Sequence, residues 1–216
     1  MTTSLTRRRV LSLGAGAAIA VAAAGPAQAA PTANERAWTK SESENGWPTL
    51  DQAREFRVEG TNVDVSLREG DVATVLLYVA RRFAYEVDML MPGDLQGHTT
   101  DRKFDSAFES NHLSGTAIAI RPMHYPLGAD VKNTGMSKAE QIVVTDILAD
   151  CEGIIVWGGQ LQPVKQSHFQ IAVEPGDSRL KNLADRIQGW NNTPGRGAGT
   201  IDAFAPASRR RSARSR

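Results

Sequence analysis

The chain has 216 residues but only one cysteine, Cys151, and no internal repeat. A single cysteine excludes an internal disulfide framework, and a cysteine at the end of a predicted helix is typical of a small buried apolar residue. The one apolar run that approaches a membrane span in length lies near the N-terminus, at residues 13–24. Because a span takes about 20 residues, no transmembrane segment is expected in the mature chain.

The first 29 residues have the three parts of an export signal. Residues 7–9 are arginines, the apolar run follows, and residues 27–29 (Ala-Gln-Ala) supply the small side chains that a signal peptidase requires. Residues 6–11 also resemble the twin-arginine consensus, with Val10 where a Phe is more usual. We therefore predict a twin-arginine signal peptide at residues 1–29 and a protein exported to the cell envelope or the extracellular space. An ordinary Sec signal is the alternative.

Charge is distributed unevenly along the chain. Residues 193–216 contain six arginines and one aspartate, whereas residues 30–192 carry a net charge of −7, which argues against a nucleic-acid-binding face. Because the last segment is rich in Pro, Gly, Ala and Arg, we predict a disordered tail at residues 193–216. Such a tail can hold anionic wall polymers or lipid headgroups by charge alone, and a solvated end without a partner is the alternative.

Hydrophobic periodicity predicts an α+β domain at residues 46–192, preceded by a polar arm at residues 30–45. Alternation at residues 63–67 and apolar runs at residues 116–120, 153–157 and 168–173 indicate short strands. Helical spacing over residues 70–90, a capping box at Ser137–Glu140 and a cap at Asp177-Ser178 indicate three helices. The mixed order favours a small antiparallel sheet flanked by helices.

Two of the four histidines lie beside predicted strands. His112 precedes the strand at residues 116–120, and His168 begins the strand at residues 168–173. If these strands are neighbours, the two imidazoles lie close together, which is how a sheet builds a metal site. Histidine is also an ordinary polar residue at strand edges, so the spacing alone leaves both interpretations open.

The segment around His112 resembles a known signature. Residues 110–118 (Ser-Asn-His-Leu-Ser-Gly-Thr-Ala-Ile) are similar to the Ser-x-His-x-x-Gly-x-Ala-x-Asp motif of the M15 family of zinc peptidases, the D-alanyl-D-alanine carboxypeptidases and related wall endopeptidases. Further similarity to the secreted branch occurs in the same order at residues 45–48, Arg102, and residues 124–128, 157–159 and 168–169. The resemblance implies a Hedgehog/DD-peptidase-like fold and a substrate among the stem peptides of peptidoglycan.

The resemblance also implies a set of site residues. His112 and His168 correspond to two zinc ligands, and Arg102 corresponds approximately to an arginine that binds a substrate carboxylate or an oxyanion. Ser110, Trp157 and Gly158 are assigned to substrate binding.

Three acidic positions of the family are replaced in this chain. The third zinc ligand, an Asp, falls on Ala119, the proton-accepting carboxylate falls on Lys165, and a further acidic position is Gln170. Zinc without its carboxylate ligand is bound more weakly, and a lysine at the base position adds repulsion and removes general-base catalysis. The zinc that the resemblance implies is therefore in question.

Three functional hypotheses follow. The first is a peptidoglycan-directed protein that binds stem peptides with lost or impaired hydrolysis. The second is an active zinc carboxypeptidase or endopeptidase of the wall, in which other side chains replace the missing ligand. The candidate replacements are Glu109, Asp105, His124 and Asp130. The third is a secreted interaction protein that makes its contacts through the arginine-rich tail.

Overall fold

The computed structural model describes residues 36–129 and 135–214. The predicted signal peptide at residues 1–29 and Asp130, one of the substitute ligands, lie outside these ranges. Within them, no helix is long and apolar enough to cross a membrane.

A four-stranded antiparallel sheet forms the centre of the domain, in the order β4-β6-β8-β7. Its strands are β4 (Leu95–Gln96), β6 (Ala117–Ile120), β7 (Ile155–Trp157) and β8 (His168–Ile171). Two small ribbons accompany it, β1 (Arg36–Ala37) with β5 (Lys103–Phe104) and β2 (Arg54–Arg57) with β3 (Asp64–Leu67). The helices are α1 (Asp71–Glu86), α2 (Lys138–Asp150), α3 (Ser178–Asn191) and α4 (Pro206–Arg214). The predicted α+β class with a small antiparallel sheet is confirmed.

The two faces of the central sheet have different chemistry, because successive side chains of a strand point to opposite faces. Ile118, Ile120, Phe169 and Ile171 are fully buried in the apolar core, which the α1 side chains share. The alternate positions in β6 and β8 are Ala117, Ala119, His168 and Gln170. A 3₁₀ helix, Ala107–His112, contacts β6 beside this second face. The sheet therefore separates an apolar core from a thin polar layer.

Local capping signals place two helices where the sequence predicts them. The Ser137 side chain accepts a hydrogen bond from the Glu140 backbone N–H, and the Glu140 side chain accepts from the backbone of Ser137, so α2 begins in a reciprocal capping box. Asp177 accepts from the Arg179 backbone N–H at 2.9 Å at the start of α3.

Within the described ranges, residues 37–45 of the predicted polar arm contact the domain. The Trp38 backbone N–H donates to the Arg102 carbonyl at 2.7 Å, beside the β1–β5 ribbon. The Ser43 hydroxyl donates to the Ser114 hydroxyl at 2.8 Å, and the Asn45 amide donates to the Ile171 carbonyl at 2.9 Å. The arm is thus in contact with the domain that is predicted to begin at residue 46, because polar side chains of the arm pair with the polar layer of the sheet.

Residues 193–214 contain a helix that packs on the domain, in a segment where composition predicts a disordered tail. They include α4, in which Arg211 pairs with Asp146 at 2.7 Å and with Asp150 at 3.0 Å. Ser212 is buried, and its hydroxyl lies 3.2 Å from an oxygen of Asp146. Composition does not predict this helix because the helix is held in place by buried carboxylates of α2, which are distant in the sequence.

Those carboxylates surround a buried arginine of α1. The Arg82 side chain is fully buried and pairs with Glu86, Asp146 and Asp150. The Tyr78 hydroxyl also donates to Asp150, at 2.8 Å. One arginine does not balance three carboxylates, so the charge of Arg211 completes the network from α4.

Candidate functional site

His112 and His168 meet on the polar side of the sheet. His112 ends the 3₁₀ helix and His168 begins β8, and their ring centroids lie 5.3 Å apart in an edge-on arrangement. The Phe108 ring packs against the His168 imidazole, with 4.9 Å between the two ring centroids. The structure thus brings together the two histidines that the sequence singles out.

A backbone carbonyl determines the tautomer of His112. Its Nδ1 lies 2.7 Å from the Gly97 carbonyl oxygen, and because a carbonyl only accepts, Nδ1 carries the proton. Nε2 is therefore left with a lone pair. Gly97 comes this close to β3 because it lacks a side chain, since a Cβ there would lie 2.2 Å from the Ser66 carbonyl oxygen.

A chain of three hydrogen bonds determines the tautomer of His168. The Asn45 backbone N–H donates to Asn111 Oδ1 at 3.0 Å, so the Asn111 amide nitrogen faces Gln170 and donates to its Oε1 at 2.8 Å. The same Gln170 oxygen lies 2.8 Å from His168 Nε2, which must then be the protonated nitrogen. His168 Nδ1 keeps a lone pair and has no hydrogen-bond partner among the described residues.

Both imidazoles are held in the neutral form. Burial and, to a lesser extent, the charge of Lys165 lower the pKa of His112 to about 4, although the hydrogen bond to Gly97 opposes the shift. Burial also lowers the pKa of His168 well below its ordinary value, followed by the influence of His112. At neutral pH the pair therefore presents two uncharged nitrogen lone pairs.

The residue directly opposite His168 in the sheet is Ala119. The β6–β8 register pairs Ala119 with His168, and the β4–β6 register pairs Ala119 with Gln96. Paired residues of an antiparallel ladder point to the same face, so a methyl group lies beside the His168 imidazole. This is the position where the family resemblance implies a carboxylate.

A tethered ion pair borders the histidines. The ammonium of Lys165 donates to Glu109 Oε1, while Glu109 Oε2 accepts the backbone N–H groups of Asp105 at 3.1 Å and Ser106 at 3.0 Å. Only 16% of the Lys165 side chain and 11% of the Glu109 side chain are exposed. Glu109 is rigid because it closes the capping box of its own 3₁₀ helix, and it therefore holds Lys165 in place.

His112 and the ion pair line a cavity of about 430 Å³. Its wall consists of residues 96–99, Asp101, Lys103, Phe104, Glu109, His112 and Lys165. The volume falls within the range of small-ligand sites. His168 lies behind this wall, fully buried, so ligands in the cavity meet His112 and Lys165 first.

The donor set does not fit a catalytic zinc ion. Such a site takes three protein ligands and leaves a position for water, whereas this one has two neutral imidazoles, the methyl of Ala119 and the cation of Lys165. Among residues 36–129 and 135–214, no three His, Cys, Asp or Glu side chains are grouped to hold a metal.

The candidate substitute ligands within the described ranges are Glu109, Asp105 and His124, and each is either bound to other groups or exposed. Glu109 is engaged by Lys165 and two backbone N–H groups. The Asp105 side chain is exposed, and so is His124, whose Nε2 lies 3.5 Å from the guanidinium of Arg121.

The expected substrate-binding residues have structural contacts instead. Ser110 is fully buried and its hydroxyl accepts the Glu44 backbone N–H at 2.9 Å. Trp157 is buried and its indole donates to the Gln166 carbonyl at 2.7 Å. A Cβ on Gly158 would lie 2.1 Å from the Lys165 carbonyl oxygen, so Gly158 lets the chain before His168 pass. None of these three lines this cavity, and their assignment to substrate contact stays a prediction.

Arg102 does not line the cavity either. Its guanidinium donates to the carbonyls of Trp38 at 3.3 Å and Lys40 at 3.0 Å and thereby fastens the N-terminal arm. The strand β5, which follows Arg102 directly, pairs with β1, and Arg102 therefore lies next to the arm.

Sequence reasoning assigned no hydrogen bonds to Gly97, Asn111 and Gln170 and no role to His98. Gly97 and Gln170 form hydrogen bonds with the histidines, and Asn111 donates to Gln170. His98 lines the cavity, with its Nε2 2.9 Å from the Leu50 carbonyl oxygen. For Glu109 a sequence signal did exist, because Ser106-x-x-Glu109 has the spacing of a capping box.

No family model, no curated protein and no solved structure matches this chain.

Proposed function

We propose that the mature chain is an exported, peptidoglycan-directed protein whose domain is Hedgehog/DD-peptidase-like and binds stem peptides without zinc-dependent hydrolysis. The observation that carries the proposal is the register pair Ala119–His168. The two motif histidines, His112 and His168, meet on one polar layer, which supports the relationship. A methyl group and an ammonium lie where the family's chemistry requires carboxylates, which supports the loss of hydrolysis.

The cavity beside His112 is the proposed peptide site. It combines hydrogen-bond donors and hydrogen-bond acceptors with the aromatic ring of Phe104, as sites for small polar ligands do. Its wall is built on residues 96–104, on the 3₁₀ helix and on the loop between β7 and β8, all of which are anchored by backbone hydrogen bonds.

The test is binding and turnover of a stem pentapeptide ending in D-Ala-D-Ala, with residues 30–216 purified in the presence of zinc. We expect saturable binding by calorimetry, no release of D-Ala at high protein concentration, and less than stoichiometric zinc. Stoichiometric zinc that is lost in His112→Ala, together with product, would establish the active zinc peptidase with substitute ligands. Absence of binding would refute the proposed function.

Export through the twin-arginine pathway is the second part of the proposal, supported by residues 6–11. A reporter fused behind residues 1–29 should be exported, and replacing Arg7 and Arg8 with lysine should abolish its export. Export that persists in this variant would identify an ordinary Sec signal.

We propose a role for the arginines of α4 in holding anionic wall polymers. Arg211 is engaged by the body, whereas Arg209, Arg210 and Arg214 are exposed. A variant with these three arginines replaced by glutamine should lose sedimentation with purified walls in low salt but retain pentapeptide binding. Unchanged sedimentation would refute this role.

A further inference from the structure

The Lys165 ammonium is held at the cavity wall with hydrogen-bonding capacity to spare. An ammonium has three N–H donors, and among the described residues its one hydrogen bond goes to Glu109. Glu109 cannot move away without breaking two bonds from backbone N–H groups. The remaining donors of Lys165 are therefore available at a fixed place in the cavity.

The charges around the cavity favour a monoanion as the partner of Lys165. Its wall includes two lysines, Lys103 and Lys165, and two acids, Asp101 and Glu109. Because the lysines only balance the acids, a dianion such as a phosphate monoester would meet net repulsion from the carboxylates. A single carboxylate can share the ammonium with Glu109.

His112 supplies the complementary acceptor in the same cavity. Its Nδ1 proton is committed to Gly97, so Nε2 accepts and does not donate. The C-terminal residue of a peptide presents one carboxylate and one N–H on adjacent atoms. A positive donor and a neutral acceptor on one wall match that pair of groups.

We infer that Lys165, tethered by Glu109, forms a subsite for the C-terminal carboxylate of a bound peptide, with His112 Nε2 accepting the N–H of the same terminal residue. This inference rests on the proposed function and adds to it the group that the cavity recognises. Lys165 then occupies the base position of the related peptidases as a binding residue, which contacts the ligand but transfers no proton.

The decisive experiment compares two ligands on the unmodified protein: an acyl-D-Ala-D-Ala peptide with a free carboxylate and the same peptide as its C-terminal amide. Charge-assisted hydrogen bonds predict roughly 10- to 100-fold tighter binding of the acid. Equal affinity for acid and amide would overturn the carboxylate subsite while leaving peptide binding intact. If neither ligand binds, the proposed function and this inference both fall.

Variants of Lys165 test whether its ammonium causes the tighter binding of the acid. Lys165→Gln and Lys165→Met should bind acid and amide about equally, and Lys165→Arg should keep part of the preference. The matched control is Lys181→Gln, which removes the same charge from the exposed face of α3, where it pairs with Asp185. A preference that survives in folded Lys165→Met, as judged by circular dichroism, would show that another cation binds the carboxylate and would refute the assignment.

Discussion

Ala119 lies directly opposite His168 in the β6–β8 ladder, so the imidazole has a methyl group as its neighbour on the polar face of the sheet. Neighbouring positions in a ladder have Cβ atoms about 5 Å apart, close enough for a carboxylate at residue 119 to reach the ring. The protein thus retains two oriented imidazoles beside a position that contributes no ligand.

Restoring the two acidic positions should create a metal site. We expect the double variant Ala119→Asp, Lys165→Glu to bind zinc at least about 10-fold more tightly than the parent protein, because it gains a third ligand and loses a repelling cation. Equilibrium dialysis with metal analysis measures this. Ala119→Asn, Lys165→Gln is the uncharged control, and equal zinc affinity in the two double variants would contradict the prediction.

The Gln170 amide should be important for stability because its oxygen serves two buried donors. Gln170→Leu leaves His168 Nε2 and the Asn111 amide without their acceptor, which should lower the free energy of unfolding by roughly 2 kcal/mol or more. Gln170→Glu keeps an acceptor for both donors and should cost less. Urea denaturation measures both values, and a Leu variant as stable as the Glu variant would contradict the hydrogen-bond chain.

The buried histidines should make stability depend on pH. Histidines of an unfolded chain titrate near 6.5, whereas the pKa of His112 is held at about 4 by burial. Between these values the unfolded state binds more protons, so stability falls as the pH decreases from about 6.5 towards about 4, by up to about 1.4 kcal/mol per pH unit for this group. Urea titrations with a chelator present measure the slope.

His112→Gln should flatten that slope, because its amide can still donate to Gly97 but does not titrate. His124→Gln, which changes an exposed histidine, is the matched control. Identical slopes in the parent protein and in the His112 variant would show that other groups cause the pH dependence.

The contact between α4 and the body should distinguish two adjacent arginines. Arg211→Ala should destabilise the protein by about 1 kcal/mol, a modest value because 45% of its side chain is exposed. Arg210→Ala, which changes an exposed neighbour, should have an effect within about 0.5 kcal/mol. Thermal or urea denaturation gives both values, and equal effects would contradict the docking of α4 through Arg211.

Arg82 should be far more sensitive than either arginine of α4. Arg82→Met leaves Glu86, Asp146 and Asp150 buried with only Arg211 to offset them, so we expect a loss of about 3–5 kcal/mol. A mild effect would mean that water or rearranged side chains reach the carboxylates.

Local and periodic features were predictable from the sequence. The capping box at Ser137 and Glu140 and the cap at Asp177 act within one turn, so their residues identify the starts of α2 and α3 directly. The meeting of His112 and His168 was predictable only on the condition that their two strands are neighbours, and the β6–β8 pairing meets that condition. The strands β1, β4 and β5 escaped because each has only two residues, and β2 escaped because its four residues, Arg-Glu-Phe-Arg, include one apolar side chain and show no alternation.

The surroundings of the charged groups were not predictable. Arg82 is one of two adjacent arginines on α1, and only the packing of α2 and α4 around it explains why it is buried. Arg102, Ser110 and Trp157 match motif positions in the sequence, yet none of them lines the cavity. Arg102 and Ser110 form hydrogen bonds with the N-terminal arm, and the Trp157 indole donates to a backbone carbonyl of the loop that follows β7.

The sequence by itself determined the chemical inventory of the site: two histidines beside predicted strands, an alanine in place of a carboxylate at residue 119, and a lysine at residue 165. Only the tertiary structure decided how these groups are used. It sets the tautomers of His112 and His168 through Gly97 and Gln170, and it ties Lys165 to Glu109. The physical reason is that residue identity follows from the chain, whereas hydrogen-bond direction, burial and charge pairing arise between segments that are distant in sequence.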